Sequence, residues 1–100
     1  MATNSEIENY VGEIEAAQRK EWEAYKYDMN KVPTFGIEYG KKFAKITRTS
    51  YGQKSVHCFV EIKTGDIYKA ATWSAPAKIV RGNIANEKKP LLGYDFYLKM

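Results

Sequence analysis

The residue types that could perform chemistry are concentrated between Ser55 and Ile84. This stretch holds the single histidine, His57, the single cysteine, Cys58, and a Trp-Pro segment followed by basic residues. A histidine and a cysteine could form a nucleophilic pair, but adjacent residues of a strand point to opposite faces. One histidine and one cysteine are also too few for a Cys/His zinc site within one chain. We therefore expect no catalytic residues, no metal site and no cofactor, and a protein that is not an enzyme.

The remaining polar groups of this stretch favour anion binding. The run from Trp73 to Pro76 is typical of a helix start with Ser74 as its cap, and Gly82 would end the helix. Lys78 and Arg81 are three positions apart and would share one face of this helix, near the N-terminus where anions bind. In a somewhat commoner arrangement, the tryptophan packs into the core and the basic side chains are solvated. The predicted binding residues are Phe59, Lys69, Trp73, Lys78, Arg81 and Asn83.

Charge divides the chain into an acidic part and a basic part. Residues 1–30 contain seven acids and three bases, a net charge of −4, whereas residues 31–100 contain thirteen bases and five acids, a net charge of +8. A basic surface with interspersed aromatic residues suits nucleic acid, through phosphate neutralisation and base stacking. One cysteine allows no intramolecular disulfide, and no signal or membrane-spanning pattern is present. These features favour a cytoplasmic protein with no membrane contact.

The acidic part has the periodicity of a helix. Large or apolar residues recur at steps of three and four from Ile7 to Met29, and Ser5 with Glu8 forms a capping-box pattern. The pattern predicts an amphipathic helix over about residues 5–30, ended before Pro33.

Such a helix would be about 39 Å long at 1.5 Å per residue. A single domain of 100 residues has a radius of gyration of about 13 Å, so part of the helix would overhang it. An overhanging amphipathic helix favours homo-oligomerisation through that helix. A break near Gly12, giving two shorter helices, is the alternative.

Residues 34–100 read as a β-rich module. Alternation over 55–62 would place Val56, Cys58, Val60 and Ile62 on one face, with His57, Phe59 and Glu61 on the other. The predicted strands are Phe35–Tyr39, Lys42–Thr49, Ser55–Ile62 and Ile67–Trp73, with a possible terminal strand Tyr94–Leu98. The sequence thus predicts a single α+β domain over residues 1–100, with a long N-terminal helix, a three- to four-stranded antiparallel sheet and a short C-terminal helix or loop.

The middle third of the chain resembles a pattern found in small uncharacterised proteins of tailed bacteriophages. The resemblance rests on Cys58-Phe59-Val60, Gly65-Asp66, Tyr68-Lys69-Ala70, Trp73, Pro76-Ala77-Lys78 and Arg81-Gly82-Asn83-Ile84. It implies a phage origin and a site of action in the host cytoplasm, and it implies no activity. The residues and the resemblance together predict a non-enzymatic accessory protein that binds nucleic acid through its basic β module. The alternative is an inhibitor or anti-defence factor that binds a host protein or sequesters a nucleotide signal.

Overall fold

The computed structural model describes residues 2–92 and shows one long helix followed by a five-stranded antiparallel sheet. The strands lie in the sheet in their chain order, so the first and the last strand form its edges. The predicted α+β class is confirmed, but the sheet has five strands rather than three or four. The elements are α1 (Asn4–Ala24), a 3-10 turn (Met29–Lys31), β1 (Thr34–Tyr39), β2 (Phe43–Ser50), β3 (Gln53–Glu61), β4 (Asp66–Ala70) and β5 (Pro76–Asn83).

Helix α1 begins and ends earlier than predicted. Its N-cap is Thr3, whose hydroxyl accepts a hydrogen bond from the Glu6 amide at 3.1 Å while the Glu6 carboxylate accepts one from the Thr3 amide at 2.9 Å. This capping box replaces the predicted one two residues later. After Ala24, Lys26 adopts a left-handed conformation with φ 58°, which turns the chain out of the helix. The helix is unbroken at Gly12.

One face of the sheet packs against α1 and forms the core. Fully buried residues of β2, β3 and β4 contact apolar residues spaced along the first three turns of the helix. Burial of this stripe supplies most of the hydrophobic stabilisation of so small a fold. The core residues are Ala2, Ile7, Tyr10, Val11, Ile14, Ala44, Ile46, Cys58, Val60 and Ile67.

A β-bulge at His57 interrupts the alternation of β3. Ile46 lies opposite Cys58, but the next residue, Thr47, lies opposite Val56, so His57 has no partner on β2. The extra residue reverses the alternation, and Val56 shares the face of Thr47, away from the helix. The predicted grouping of Val56 with Cys58 is therefore wrong.

The predicted short helix after Trp73 is instead the turn and edge strand β5. The Thr72 hydroxyl accepts hydrogen bonds from the amides of Ser74 and Ala75 at 3.2 and 3.1 Å, so it closes a tight turn. Pro76 then begins a strand that pairs with the open edge of β4. Ser74 caps no helix. The backbone N–H and C=O groups of the following segment form their hydrogen bonds with β4 instead of within a helix.

Residues 84–92, here called the C-terminal segment, return across the helix side of the sheet. The Tyr10 hydroxyl donates to the Pro90 carbonyl at 2.5 Å, and Lys89 forms an ion pair with Glu13 at 3.1 Å. A Cβ atom on Gly82 would lie 2.8 Å from Pro90, so the close approach of this segment requires glycine there. The possible strand Tyr94–Leu98 lies outside the described residues. Within residues 2–92, no helix is long and apolar enough to cross a membrane.

Candidate functional site

The sheet face that points away from α1, here called the outer face, carries aromatic and basic side chains. Directly paired residues share a face, and Lys45 pairs with Phe59, which pairs with Tyr68. Phe43 lies two residues before Lys45 on β2 and therefore belongs to the same face. The helix and the C-terminal segment contact the other face, whereas the 71–75 turn meets the outer face where Trp73 contacts Lys45.

Three aromatic rings form a compact cluster on the outer face. Phe43 meets Phe59 edge to face at 6.0 Å between ring centroids, and it meets Tyr68 at 5.7 Å. Burial is the largest cause that raises the pKa of Tyr68, followed by the charges of Glu61 and Asp66. The phenol therefore stays neutral at physiological pH and can serve as a hydrogen-bond donor. Phe43 and Tyr68 are half-buried, so parts of their rings face solvent.

A lysine lies over the ring of the most exposed aromatic residue of this face. The Lys45 ammonium is 4.3 Å from the centroid of Trp73, and Trp73 is 47% exposed. Lys42 lies in a similar way over Phe43, at 5.4 Å. Both distances are within the range of attractive cation–π contacts. The outer face thus presents positive charges directly on aromatic surfaces.

Two open clefts border the corner formed by Trp73 and Ser74. One has a volume of about 330 Å³ and is lined by Ser74 and by basic and aromatic residues of the β1–β2 turn and β2, including Lys41 and Lys45. The other has a volume of about 310 Å³ and is lined by Trp73, Lys54 and neighbouring residues. Both lie at the lower end of the size range of small-molecule sites, which suits a single planar ring in each.

The charges around these clefts are predominantly positive. Lysines outnumber glutamates on the outer face and in the adjoining β1–β2 turn. Lys54 pairs with Glu38 at 2.8 Å, and this hydrogen bond lowers the pKa of the Glu38 carboxyl. Lys41 and Lys42 have no ion-pair partner among residues 2–92 and are exposed. The charged residues concerned are Lys41, Lys42, Lys45, Lys54, Glu38 and Glu61.

The structure does not bring the six predicted binding residues onto one surface. Trp73 lies at the outer face and is accessible, as a binding role requires. Phe59 lies on the same face but is only 3% exposed beneath its aromatic neighbours, so it cannot offer a ring face to a ligand. Lys69 lies opposite Cys58 and therefore on the helix side of the sheet.

The three predicted residues of β5 also have separate environments. The Asn83 amide donates to the Thr64 carbonyl at 2.9 Å and to the Asp66 carboxylate at 3.0 Å, which fixes the β3–β4 turn. Lys78 is exposed, whereas Arg81 is half-buried and its Nε atom is buried without a hydrogen-bond partner among the described residues. Because no helix forms here, Lys78 and Arg81 do not share the predicted helix face.

His57 and Cys58 both reach the helix side of the sheet, contrary to the expectation of opposite faces. The His57 ring contacts Phe35 at 5.2 Å between centroids and hydrogen-bonds the Leu91 carbonyl at 2.7 Å, and both partners pack against the core. Burial raises the pKa of the Cys58 thiol to about 12. A fully buried neutral thiol is a poor nucleophile. No group of three or more potential metal ligands lies within residues 2–92.

Sequence reasoning missed Lys45 as a site residue, although the signal was present. Phe43, Lys45 and Thr47 alternate with apolar residues along β2, which places all three on the face away from the core. The contact of Lys45 with Trp73 could not be read from the sequence, because it depends on how the 71–75 turn folds over β2.

Comparison with known proteins places the chain in a family without indicating an activity. No match was found among curated proteins or among solved structures. One family model matches residues 2–92, and these are also the residues that form the helix, the five strands and the C-terminal segment. The chain therefore belongs to a family of unknown function, DUF7717.

Proposed function

We propose that the outer face binds nucleic acid. The observation that carries this proposal is the placement of the Lys45 ammonium on the ring of Trp73, at the border of two clefts. A nucleotide combines a phosphate, which lysine binds, with a planar base, which an exposed aromatic ring stacks against. The adjoining cations Lys41 and Lys42 extend the positive surface toward the β1–β2 turn.

The proposed activity is binding without catalysis. Electrostatic attraction to phosphates supplies most of the affinity of such a surface, and it weakens as salt is added. The resemblance to tailed-bacteriophage proteins supports an accessory role of this kind in the cytoplasm of an infected host. A nucleotide signal would present the same two chemical groups, so free nucleotides are a necessary competitor in the binding assays.

The proposal is tested by fluorescence anisotropy of labelled oligonucleotides, single-stranded and duplex, over a range of salt concentrations. We expect binding at low salt that declines linearly in log K against log salt. Reversal of Lys41 and Lys42 to glutamate should abolish it. The matched control reverses Lys63 and Lys88, which are also exposed but lie outside the outer face, and it makes the same change in net charge.

Two results would contradict the proposal. One is the absence of binding at low salt to any single strand or duplex. The other is an equal loss of binding in both double reversals, because that would assign the effect to overall charge rather than to the outer face.

A second candidate function is protein recognition at the end of α1. Trp22, Tyr25 and Tyr27 form an aromatic cluster beyond the last buried turn, with Tyr25 65% and Tyr27 53% exposed. Tyrosine and tryptophan are enriched among the residues that dominate the energy of protein interfaces. A second copy of the chain is the partner to test first, because the exposed rings of Tyr25 and Tyr27 could pack against the same rings of that copy. Sedimentation equilibrium of the native chain and of Tyr25→Ser/Tyr27→Ser checks it, and a monomer at all concentrations contradicts self-association.

A further inference from the structure

We infer that the ligand of the outer face is a single strand, and that a base replaces the Lys45 ammonium on the ring of Trp73 while a phosphate receives that ammonium. This inference rests on the proposed function and specifies its ligand class and its mode of binding. It starts from the Lys45–Trp73 contact of 4.3 Å, in which a half-exposed ring at the molecular surface has a cation over it.

The accessibility of Trp73 selects a single strand over a duplex. Within a duplex, the ring faces of the bases are stacked on one another, and only base edges and the phosphate backbone are accessible. An exposed tryptophan can therefore stack fully only on an unpaired base. Trp73 lies in the tight 71–75 turn, and hydrogen bonds to the Thr72 hydroxyl hold the backbone that carries its ring.

The two parts of a nucleotide match the two parts of the Lys45–Trp73 pair. A base that stacks on the ring displaces the ammonium, and this would leave a cation without its aromatic partner. The phosphate linked to that base supplies a replacement at short range, with full negative charge instead of the ring quadrupole. After the exchange, the Trp73 ring stacks on the base and the Lys45 ammonium pairs with the phosphate. A base alone would leave the ammonium without a partner, and a phosphate alone would leave the ring without one.

The two clefts beside the corner formed by Trp73 and Ser74 define the path of the strand over the outer face. Lys41, Lys42 and Lys45 line the first cleft, and Lys54 lines the second beside Trp73. A strand that crosses the corner would have Lys41 and Lys42 near its backbone on one side of the stacked base and, on the other side, Lys54, which pairs with Glu38 when no ligand is bound. A rigid duplex cannot enter two such small clefts in succession.

The experiment uses the tryptophan fluorescence of the Trp22→Phe variant, in which Trp73 is the only tryptophan. The variant is titrated with a pyrimidine single strand and with a duplex that contains the same strand, while a labelled oligonucleotide reports binding independently. We expect Trp73 fluorescence to be quenched by the single strand and affinity for the duplex to be weaker. Trp73→Leu should weaken single-strand binding by about 5- to 150-fold, the range found for removal of one stacking platform.

Lys45→Met separates the charge of the lysine from stacking by the tryptophan. The variant keeps an unbranched apolar side chain beside Trp73 but has no ammonium. We expect the slope of log K against log salt to fall by about 0.7, the value for one phosphate contact on a single strand. Quenching of Trp73 should persist at saturation. Lys63→Met is the control, because Lys63 lies in the β3–β4 loop and should leave the slope unchanged.

The outcomes distinguish this inference from the proposed function. No binding of either nucleic acid would remove both. Equal binding of single strand and duplex, with Trp73 fluorescence unchanged, would overturn the inference and leave nucleic-acid binding intact. An unchanged salt slope in Lys45→Met would contradict the transfer of the ammonium to a phosphate. Circular dichroism of each variant shows whether the fold is retained, and quenching of Trp73 in the Trp22→Phe variant tests the stacking directly if Trp73→Leu fails to fold.

Discussion

Replacement of Tyr10 by phenylalanine tests how the C-terminal segment is held against the core. Tyr10 is 1% exposed, and its hydroxyl donates to the Pro90 carbonyl at 2.5 Å and lies 3.9 Å from the Cys58 sulfur. Phenylalanine keeps the buried ring but removes this donor from a buried carbonyl. Loss of one partner of a buried hydrogen bond costs about 1–3 kcal/mol. For a domain of this size, each kcal/mol corresponds to a Tm lower by about 4–8 °C.

Urea denaturation followed by circular dichroism measures this cost. The midpoint should fall while the m-value stays constant, because the surface exposed on unfolding does not change. Tyr51→Phe is the matched control, because Tyr51 is 73% exposed and the substitution there removes a hydroxyl from an exposed side chain. The control should change stability by less than about 0.5 kcal/mol. A loss for Tyr10→Phe as small as that of the control would refute the role of the Tyr10–Pro90 bond.

Three further predictions concern other parts of the fold. Gly82→Ala should destabilise by about 1–3 kcal/mol, because its Cβ atom would meet Pro90 at 2.8 Å, and an unchanged urea midpoint would contradict this close approach. Tyr51→Asn should stabilise the fold by about 0.5–1 kcal/mol. Tyr51 has φ 53° and precedes Gly52 with φ 78°, and asparagine tolerates this left-handed conformation better than tyrosine. A lower Tm for the variant would contradict this prediction. Because the Cys58 thiol has a pKa of about 12 when folded and an ordinary value of 9.0, its contribution to stability is complete below pH 9 and is lost as the pH rises toward 12. Cys58→Ala should therefore lose less stability than the native chain over that interval, and identical pH profiles in alkaline urea titrations would contradict the raised pKa.

Local patterns predicted most of the elements in the first two thirds of the chain. The three- and four-residue steps after Ile7 indicated a helix on which the core packs, and alternation with turn residues indicated β1 to β4. The helix end was placed too late because Trp22 and later aromatic residues continue the periodicity. Their rings instead pack on one another, and Trp22 donates to the Asp28 carbonyl at 2.8 Å.

Pairing between distant segments explains what sequence patterns missed. The segment from Pro76 carries both a helix-start pattern and β-branched residues, and the open edge of β4 decides in favour of a strand. The bulge at His57 depends on the register between β2 and β3, which no local pattern specifies. The contact between Lys45 and Trp73 likewise depends on how the 71–75 turn folds over β2, so the sequence indicated Trp73 as a candidate binding residue without indicating its partner.

The contact between Tyr10 and Pro90 joins residues 80 positions apart, and this separation constrains how the chain folds during synthesis. Because neighbouring strands are consecutive in sequence, each hairpin can form as soon as its second strand has been translated. The helix, although made first, cannot complete its packing until Pro90 has left the ribosome. The nascent chain therefore exposes the apolar stripe of α1 until β2 to β4 have left the ribosome, and the packing around Tyr10 is completed only when Pro90 follows. Chaperone binding to stalled chains should fall in these two steps.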